Sequence, residues 1–318
     1  MSRLTESLLR ALGLLLLLGA LGFAATKAPD RPLESLIQRW APPPSEFIDL
    51  HGQLLHLRDQ GPVGDPLPIV LIHGTSSSLH TWEGWVKELS KTRRVISFDL
   101  PGFGLTGPAI SGDYSLDAYV QFVRALLDHL QLERVVLGGN SLGGEIVWRV
   151  AEQAPERVAG LILVDAGGYA FTPESTPIGF QLARLPFVSV LSEYMLPRKV
   201  VERSVQNVYG DPAKVNPELV ERYYELTLRA GNRAALRERF KVMQLGEQAT
   251  LIKTLRQPTL ILWGGKDRLI PPSNGQAFAR DIAGSQLVTF PELGHVPQEE
   301  APLDTVAPVQ NFLTTLKP

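Results

Sequence analysis

The stretch VVLGGNSLGGEIVWRV at residues 135–150 decides the fold of this chain. It opens with an apolar run typical of a buried strand, closes with a helical pattern, and has four glycines between the two. Gly139, Ser141 and Gly143 fit the pattern G-x-S-x-G, which needs this strand–turn–helix context. Glycines remove the side-chain clashes of a sharp turn, so the central residue can take a strained backbone. The stretch therefore predicts a serine hydroxyl held at a sheet edge, at a helix N-terminus.

The composition of the 318-residue chain excludes several classes of protein. It is 44% hydrophobic, enough for a large core. The net charge is −2 and the basic residues are scattered, so we do not expect nucleic acid as a partner. There is no cysteine, which excludes disulfides, thiolate metal sites and cysteine nucleophiles. The six histidines show no metal-ligand spacing, so no metal site is predicted.

The N-terminus differs from the rest of the chain. Arg3 and Arg10 precede ALGLLLLLGALGFAA at residues 11–25, which carries no charge. Such a run of about 15 residues spans about 22 Å as a helix, less than the roughly 30 Å of a hydrocarbon core. Residues 1–25 are therefore predicted to be a signal peptide or a short membrane anchor, which implies membrane contact or export. A buried core helix is a third interpretation, and residues 26–45 are interpreted as a linker.

From residue 46 onward, buried strand patterns alternate with helical patterns. A helical pattern such as SLDAYVQFVRALLDHLQL at residues 115–132 separates continuous apolar runs. Strands separated by helices indicate a parallel sheet with helices on both faces. The apolar runs are PIVLIHG (68–74), RRVISFDLPG (93–102), RVVLGG (134–139) and VAGLILVDA (158–166).

The alternation stops at residues 167–250, where only helical patterns occur. Strand patterns return with PTLILWGGKD at 258–267 and SQLVTFPELGH at 285–295. A helical insert between two parallel strands is expected to cover the carboxyl edge of the strands, where such sheets bind ligands. The sequence thus predicts a core of residues 46–166 and 251–318, with a helical cap of residues 167–250.

A serine hydroxyl needs a base, and the base in turn needs a carboxylate. His295 follows the last predicted strand and is the candidate base. Asp267 follows the preceding strand, 28 residues earlier, which leaves room for one helix and one strand between them. Asp165 at the end of LILVD is the rival acid. Asp99 ends a strand on the same edge, but its predicted role is to hydrogen-bond the loop that follows.

An oxyanion in the reaction would need two hydrogen-bond donors near Ser141. Leu142 is the first residue of the helix after the serine, so its backbone N–H is expected to point at an incoming anion. The backbone N–H of Thr75, after a buried strand ending in His73-Gly74, is the predicted second donor. His73 is expected to orient this loop rather than to act as a base.

Further candidates for the substrate pocket lie near these donors. Ser76, Ser77 and His80 have two interpretations that stay open, lining the pocket or solvating the loop. Asn140, next to the nucleophile, is another pocket candidate. Aromatic side chains of the cap indicate either an apolar substrate group or packing within the cap itself. These are Phe171, Phe180, Phe187, Tyr194, Tyr223 and Tyr224.

With these residues in place, the chain resembles the α/β-hydrolase-fold serine hydrolases of the cap-domain type. The matching segments are HGT, FDLPGFGLT, GNSLGG, LVDA, WGGKD and GHVPQEEAP, in the order of the family. The resemblance implies a mostly parallel eight-stranded sheet flanked by helices, a helical cap inserted after the sixth strand, and a Ser141–His295–Asp267 triad that needs no cofactor.

The predicted activity is hydrolysis of a carboxylic ester or related acyl bond in a small molecule with an apolar part. The GNSLGG segment is similar to that of the meta-cleavage-product hydrolases, which cleave carbon–carbon bonds, and haloperoxidase-like esterases share the triad. HGTSSS and His295-Val296 depart from the glycine-proline-glycine and the tryptophan usual in the former group. A membrane-tethered binding protein that kept the fold without catalysis is the alternative from another class.

Overall fold

The computed structural model describes residues 3–185 and 193–317. Its centre is one eight-stranded sheet in the order β1-β2-β4-β3-β5-β6-β7-β8. The pairs β1–β2 and β2–β4 are antiparallel, and every other pair is parallel. The predicted mostly parallel eight-stranded sheet is therefore confirmed. The strands are β1 (Ser45–Leu50), β2 (Gln53–Gln60), β3 (Ile69–Ile72), β4 (Val95–Phe98), β5 (Val135–Asn140), β6 (Val158–Val164), β7 (Thr259–Gly264) and β8 (Gln286–Phe290).

The helices cover both faces of this sheet and continue beyond its carboxyl edge. Short 3-10 turns, such as Leu79–Trp82, join several of them. The helices are α1 (Arg3–Thr26), α2 (Glu34–Trp40), α3 (Glu83–Leu89), α4 (Leu116–His129), α5 (Leu142–Gln153), α6 (Ile178–Arg184), α7 (Arg198–Val208), α8 (Pro217–Thr227), α9 (Asn232–Val242), α10 (Pro272–Asp281), α11 (Pro297–Glu300) and α12 (Pro302–Thr315).

The sheet is buried on both faces because its central strands carry no polar face. In β3, Ile69 packs with Trp85 of α3 on one side, whereas Val70 packs with Ile146 of α5 on the other. All four side chains are fully buried. Successive side chains of a strand point to opposite faces, so a continuous apolar run requires a layer of helices on each side.

Residues 167–250 contribute helices α6 to α9, and no strand is assigned to the parts of this segment that the structure describes. Val201 and Val205 of α7 pack with Tyr209 and with Val296, which follows β8. The helical segment thus lies against the loop that carries His295, at the carboxyl edge of the sheet. The boundaries of the cap stay a prediction.

The segment predicted as a linker is ordered in this structure. It contains α2, whose Leu36 and Trp40 are buried four residues apart and so share one helix face. The Trp40 Nε1–H donates to Glu225 Oε2 of α8 at 2.7 Å. The apolar face of α2 therefore packs against the helical segment, and the interpretation of residues 26–45 as a linker stays a prediction.

The N-terminal apolar run forms the second half of α1, which is 24 residues long. Leu12, Leu14, Leu15 and Leu17 on this helix are exposed. Within the described part of the chain, no helix combines the length and the apolarity that crossing a bilayer requires.

Candidate active site

Ser141 sits at the junction of β5 and α5 in a strained conformation. Its φ is 56° and its ψ is −116°, a positive φ that is uncommon for a residue with a side chain. A Cβ at Gly139 would lie 2.2 Å from the carbonyl oxygen of Gly143, and a Cβ at Gly143 would lie 2.1 Å from that of Ile72. Both distances are far below contact, so only glycine fits on either side of the serine.

His295 and Asp267 are paired at the ends of neighbouring strands. His295 follows β8, Asp267 follows β7, and the distance from His295 Nδ1 to Asp267 Oδ2 is 2.7 Å. The other oxygen, Asp267 Oδ1, accepts the N–H groups of Leu269 at 2.8 Å and Ile270 at 3.0 Å. A carboxylate only accepts, so Nδ1 carries the hydrogen and Nε2 is the free basic nitrogen of the ring. This is the arrangement required of a general base.

Asn140 connects the nucleophile strand to the histidine loop. Its Nδ2 group donates to the carbonyl of His295 at 2.9 Å and to the carbonyl of Val164 at 3.1 Å. The backbone N–H of His295 donates to the Val208 carbonyl at the end of α7 at 2.7 Å. Asn140 lines the cavity as predicted for a pocket candidate, and in addition it holds His295 in place.

Asp165, the rival acid, is buried beside the pair. Its Oδ1 accepts the N–H of Gly264 at 2.9 Å, and its Oδ2 has no hydrogen-bond partner among the described residues. Burial, followed by the negative charge of Asp267, raises the pKa of Asp165 well above its ordinary value. The hydrogen bond of the imidazole goes to Asp267, whereas burial favours the protonated form of Asp165.

Asp165, Asp267 and His295 are also the one cluster, within the described residues, whose donor atoms could hold a metal ion. Their ligand atoms lie within 4.8 Å of one another. The bond between His295 and Asp267 and the two backbone N–H bonds to Asp267 already occupy His295 Nδ1 and both oxygens of Asp267. The donor set therefore fits an acid–base pair better than a metal centre.

Two backbone N–H groups flank the serine. Neither the N–H of Thr75 nor the N–H of Leu142 donates a hydrogen bond to any of the described residues. Gly74 allows the first of these loops to approach, because a Cβ there would lie only 2.9 Å from Ser141 Cβ. Both residues line the cavity beside Ser141, and the oxyanion hole formed by their N–H groups stays a prediction.

His73 supports the loop that carries Thr75. Its Nδ1 is 2.7 Å from the Gly74 carbonyl, and its Nε2 accepts the Leu100 N–H at 2.9 Å. Burial lowers the pKa of His73, which keeps the ring neutral in this bonding pattern. The predicted orienting role matches these contacts. Asp99 likewise holds a loop, since its Oδ2 accepts the N–H of Leu105 at 2.7 Å.

His80 is not among the residues that line the cavity and is buried, so neither of its two interpretations, lining the pocket or solvating the loop, describes it. Its Nε2 is 2.8 Å from the Trp40 carbonyl, and its Nδ1 is 3.0 Å from Ser78 Oγ. Burial lowers the pKa of His80 to about 4, so the ring is neutral. Trp40 lies 40 residues away and reaches His80 only in the folded chain. Ser76 and Ser77, by contrast, line the cavity.

Ser141 and His295 open onto one cavity of about 250 Å³ between the sheet edge and the cap. Its wall is mainly apolar and includes Phe171, Phe180 and Tyr223 of the predicted aromatic set. Tyr194 is exposed, Tyr224 instead stacks with Arg198, and Phe187 lies outside the described residues.

Sequence reasoning missed the four charged residues in this wall, Glu145, Arg184, Arg233 and Arg239, of which Glu145 and Arg239 also line an adjoining cavity. Glu145 stands four positions after Ser141 in α5, a spacing that places both on one helix face. That spacing was the available signal. Arg239 comes from the helical segment 167–250, about 100 positions away, and nothing local in the sequence indicates where it points.

The fold and the site define a hydrolase with the α/β-hydrolase fold. Residues 68–302 match the family model described as alpha/beta hydrolase fold. The chain therefore belongs to this family, as the sequence motifs indicated.

Individual relatives differ in how much of their length the chain covers. It is 34% identical over 263 residues to the dihydrolipoyllysine-residue acetyltransferase component of an acetoin cleaving system of Pseudomonas putida, spanning 81% of this chain but only 66% of that relative. It is 32% identical over 262 residues to a 2-hydroxy-6-oxo-2,4-heptadienoate hydrolase of Pseudomonas putida, spanning 79% of this chain and 90% of the relative.

The solved structures that it matches have the same architecture. A meta-cleavage product hydrolase of Pseudomonas fluorescens IP01 is 27% identical with a TM-score of 0.73, over 85% of this chain and 97% of that one. A thermophilic esterase of Thermogutta terrifontis is 27% identical with a TM-score of 0.70, over 86% and 96%. The similarity thus includes proteins named for carbon–carbon cleavage and for ester cleavage.

Proposed function

We propose that this chain is a serine hydrolase that cleaves a carboxylic ester or related acyl bond in a small molecule with an apolar part. One observation carries the proposal: Ser141 and the Asp267-bonded His295 open onto the same, mainly apolar cavity. Such a cavity favours an alkyl or aryl group next to the scissile carbonyl.

The proposed reaction proceeds through an acyl-enzyme. Ser141 Oγ attacks the carbonyl carbon while His295 Nε2 takes its proton, and the N–H groups of Thr75 and Leu142 hold the oxyanion. The imidazolium then protonates the leaving alcohol. A water molecule, deprotonated by the same Nε2, releases the acid and restores the serine. Asp267 keeps the ring oriented throughout.

Carbon–carbon bond hydrolysis is the second candidate. It is supported by relatives named as dienoate and semialdehyde hydrolases at 30–32% identity. HGTSSS after β3 and Val296 after the histidine depart from the pattern usual in that group. These departures favour ester hydrolysis over carbon–carbon bond hydrolysis.

A substrate panel separates the candidates. We expect the wild-type protein to hydrolyse short p-nitrophenyl esters with a higher kcat/KM than a 2-hydroxy-6-oxo-dienoate, whose loss of visible absorbance reports carbon–carbon cleavage. Faster decay of the dienoate would overturn the ester proposal in favour of the second candidate. A protein inert toward both, and toward a serine-directed fluorophosphonate, would be a binding protein that keeps only the fold.

We also propose that residues 1–25 direct the chain to a membrane, either as an anchor or as a signal that is removed on export. The uncharged run at residues 11–25 and the exposed leucines of α1 support this. Fractionation of cells expressing the full chain, followed by N-terminal sequencing, is expected to find it with membranes or trimmed after export. Recovery of the protein in the cytosol with Met1 intact would contradict both the membrane anchor and the export signal.

A further inference from the structure

Four charged side chains without any role in the proposed reaction line the catalytic cavity, namely Glu145, Arg184, Arg233 and Arg239. Arg233 pairs with Asp30, and Arg184 lies over the ring of Phe240. Glu145 and Arg239 are the two that remain to be explained. Glu145 lies one helical turn beyond the nucleophile, since its N–H donates to the Ser141 carbonyl at 3.0 Å. One turn corresponds to about 5–6 Å along the helix axis. Arg239 reaches the same cavity from α9. The apolar wall therefore has a charged end close to the serine.

Arg239 is buried and poorly partnered. The residue is only 4% exposed, and its single hydrogen bond within the described residues is from Nη1 to the Tyr114 carbonyl, at 3.2 Å. Its guanidinium also lies over the ring of Tyr119, 6.0 Å from the centroid. Its Nε has no partner, and it forms no ion pair within 4.0 Å of a described carboxylate. A buried charge with so few partners is costly unless something else neutralises it.

Glu145 is equally without a fixed partner, since its carboxyl group makes no hydrogen bond to the described residues. Both side chains also line an adjoining cavity of about 120 Å³, where polar residues predominate. The other polar residues there are Ser115, Asp117, Gln244, Glu247 and Gln248. Glu145 and Arg239 thus stand where an apolar chamber meets a polar one.

We propose that Arg239 and Glu145 form a subsite for a carboxylate carried by the substrate, so that the molecule cleaved at Ser141 has an apolar body and a second, acidic end. A guanidinium offers only donors and therefore requires an acceptor. A carboxylate supplies acceptors and neutralises the charge in a bidentate pair. A neutral Glu145 carboxyl group adds one more donor. This subsite rests on the proposed ester hydrolysis and names its substrate class.

Glu145 makes the subsite sensitive to pH. Burial raises its pKa to about 7, although the nearby charges of Arg239 on α9 and Arg149 on α5 oppose this. The acids Asp117 and Glu247 line the adjoining cavity and add negative charge on that side. Below pH 7 Glu145 is neutral and can donate. Above pH 7 it is ionised and repels a bound carboxylate.

The test compares two esters of equal length, mono-p-nitrophenyl adipate and p-nitrophenyl hexanoate, which differ in one terminal carboxylate. We expect the wild type to prefer the adipate ester, and Arg239→Met to lower kcat/KM for that ester by about 10²-fold while changing the hexanoate less than about threefold. Lys241→Met, which removes an exposed cation of the same helix, is expected to leave kcat/KM unchanged for both esters. Arg239→Lys should recover part of the preference.

The preference for adipate should fall between pH 6 and pH 8 in the wild type and stay constant in Glu145→Gln. Effects of pH on the catalytic steps that both esters share cancel in the ratio of the two rates. An equal loss on both esters in Arg239→Met, or no preference in the wild type, would overturn the subsite while leaving ester hydrolysis intact.

Absence of any Ser141-dependent turnover would instead overturn the proposed function. Calorimetric binding of adipate to Ser141→Ala, and its loss in Ser141→Ala/Arg239→Met, then tests the subsite alone. No binding by the folded Ser141→Ala protein would refute it. If Arg239→Met does not fold, Arg239→Gln, which also removes the charge but keeps a hydrogen-bonding group, serves in both assays.

Discussion

Ser141→Ala is expected to lower kcat/KM for p-nitrophenyl ester hydrolysis by about 10⁵–10⁶-fold, the loss seen when a triad nucleophile is removed. Without the hydroxyl no acyl-enzyme forms, and only the N–H groups and the cavity remain to assist direct attack by water. The substitution keeps the Cβ, so the turn at φ 56° is retained and folding is unaffected. Initial rates at saturating and subsaturating ester, with melting curves to verify folding, provide the measurement.

Ser273→Ala is the matched control for the nucleophile. Ser273 is an exposed residue of α10, and we expect its substitution to leave turnover unchanged. Ser141→Ala protein that still hydrolyses the ester at a tenth of the wild-type rate would show that another group does the chemistry.

Asp267→Asn is expected to lower kcat/KM by about 10³–10⁴-fold. The amide Nδ2 is a donor, so it favours the tautomer of His295 in which Nδ1 accepts and Nε2 carries the hydrogen. In that state the ring cannot take the serine proton. The fold should survive, because the amide oxygen can still accept the N–H groups of Leu269 and Ile270. Steady-state kinetics near pH 7.5 check the size of the loss.

Asp165→Asn is the control that separates the two acids. Burial raises the pKa of Asp165 and so favours its neutral form, and Asp165 makes no bond to the imidazole, so a neutral amide of the same shape should cost less than about tenfold in kcat/KM. If instead Asp165→Asn gave the larger loss, Asp165 would be the acid that orients His295, and the assignment of Asp267 would fail.

The sequence could predict those parts of the molecule that depend on neighbouring residues. The turn around Ser141 is an example, since its glycines are required by clashes with Gly143 and Ile72 that arise wherever this strand meets this helix. The placement of Asp267 and His295 followed from parallel strands, whose carboxyl ends share one edge. Both inferences needed only local patterns and the handedness of strand connections.

Other features depend on contacts between distant segments and were missed. The sequence does not show where the ring of His80 lies, because its hydrogen-bond partner, the Trp40 carbonyl, is 40 residues away along the chain. The segment before β1 was interpreted as a linker because it is rich in prolines and charges. Its two apolar residues that pack on α8, Leu36 and Trp40, form too short a pattern to predict a helix. Arg239 has no local pattern at all, because the fold of the cap decides which face of α9 meets the cavity.

The most direct test of the central claim is the site of covalent modification by a fluorophosphonate, read by intact mass and peptide mapping. The account predicts one adduct, on Ser141, absent from Ser141→Ala and formed far more slowly in His295→Ala because the base that activates the hydroxyl is gone. An adduct on a different residue, or hydrolytic activity in a protein whose Ser141 never reacts, would contradict it.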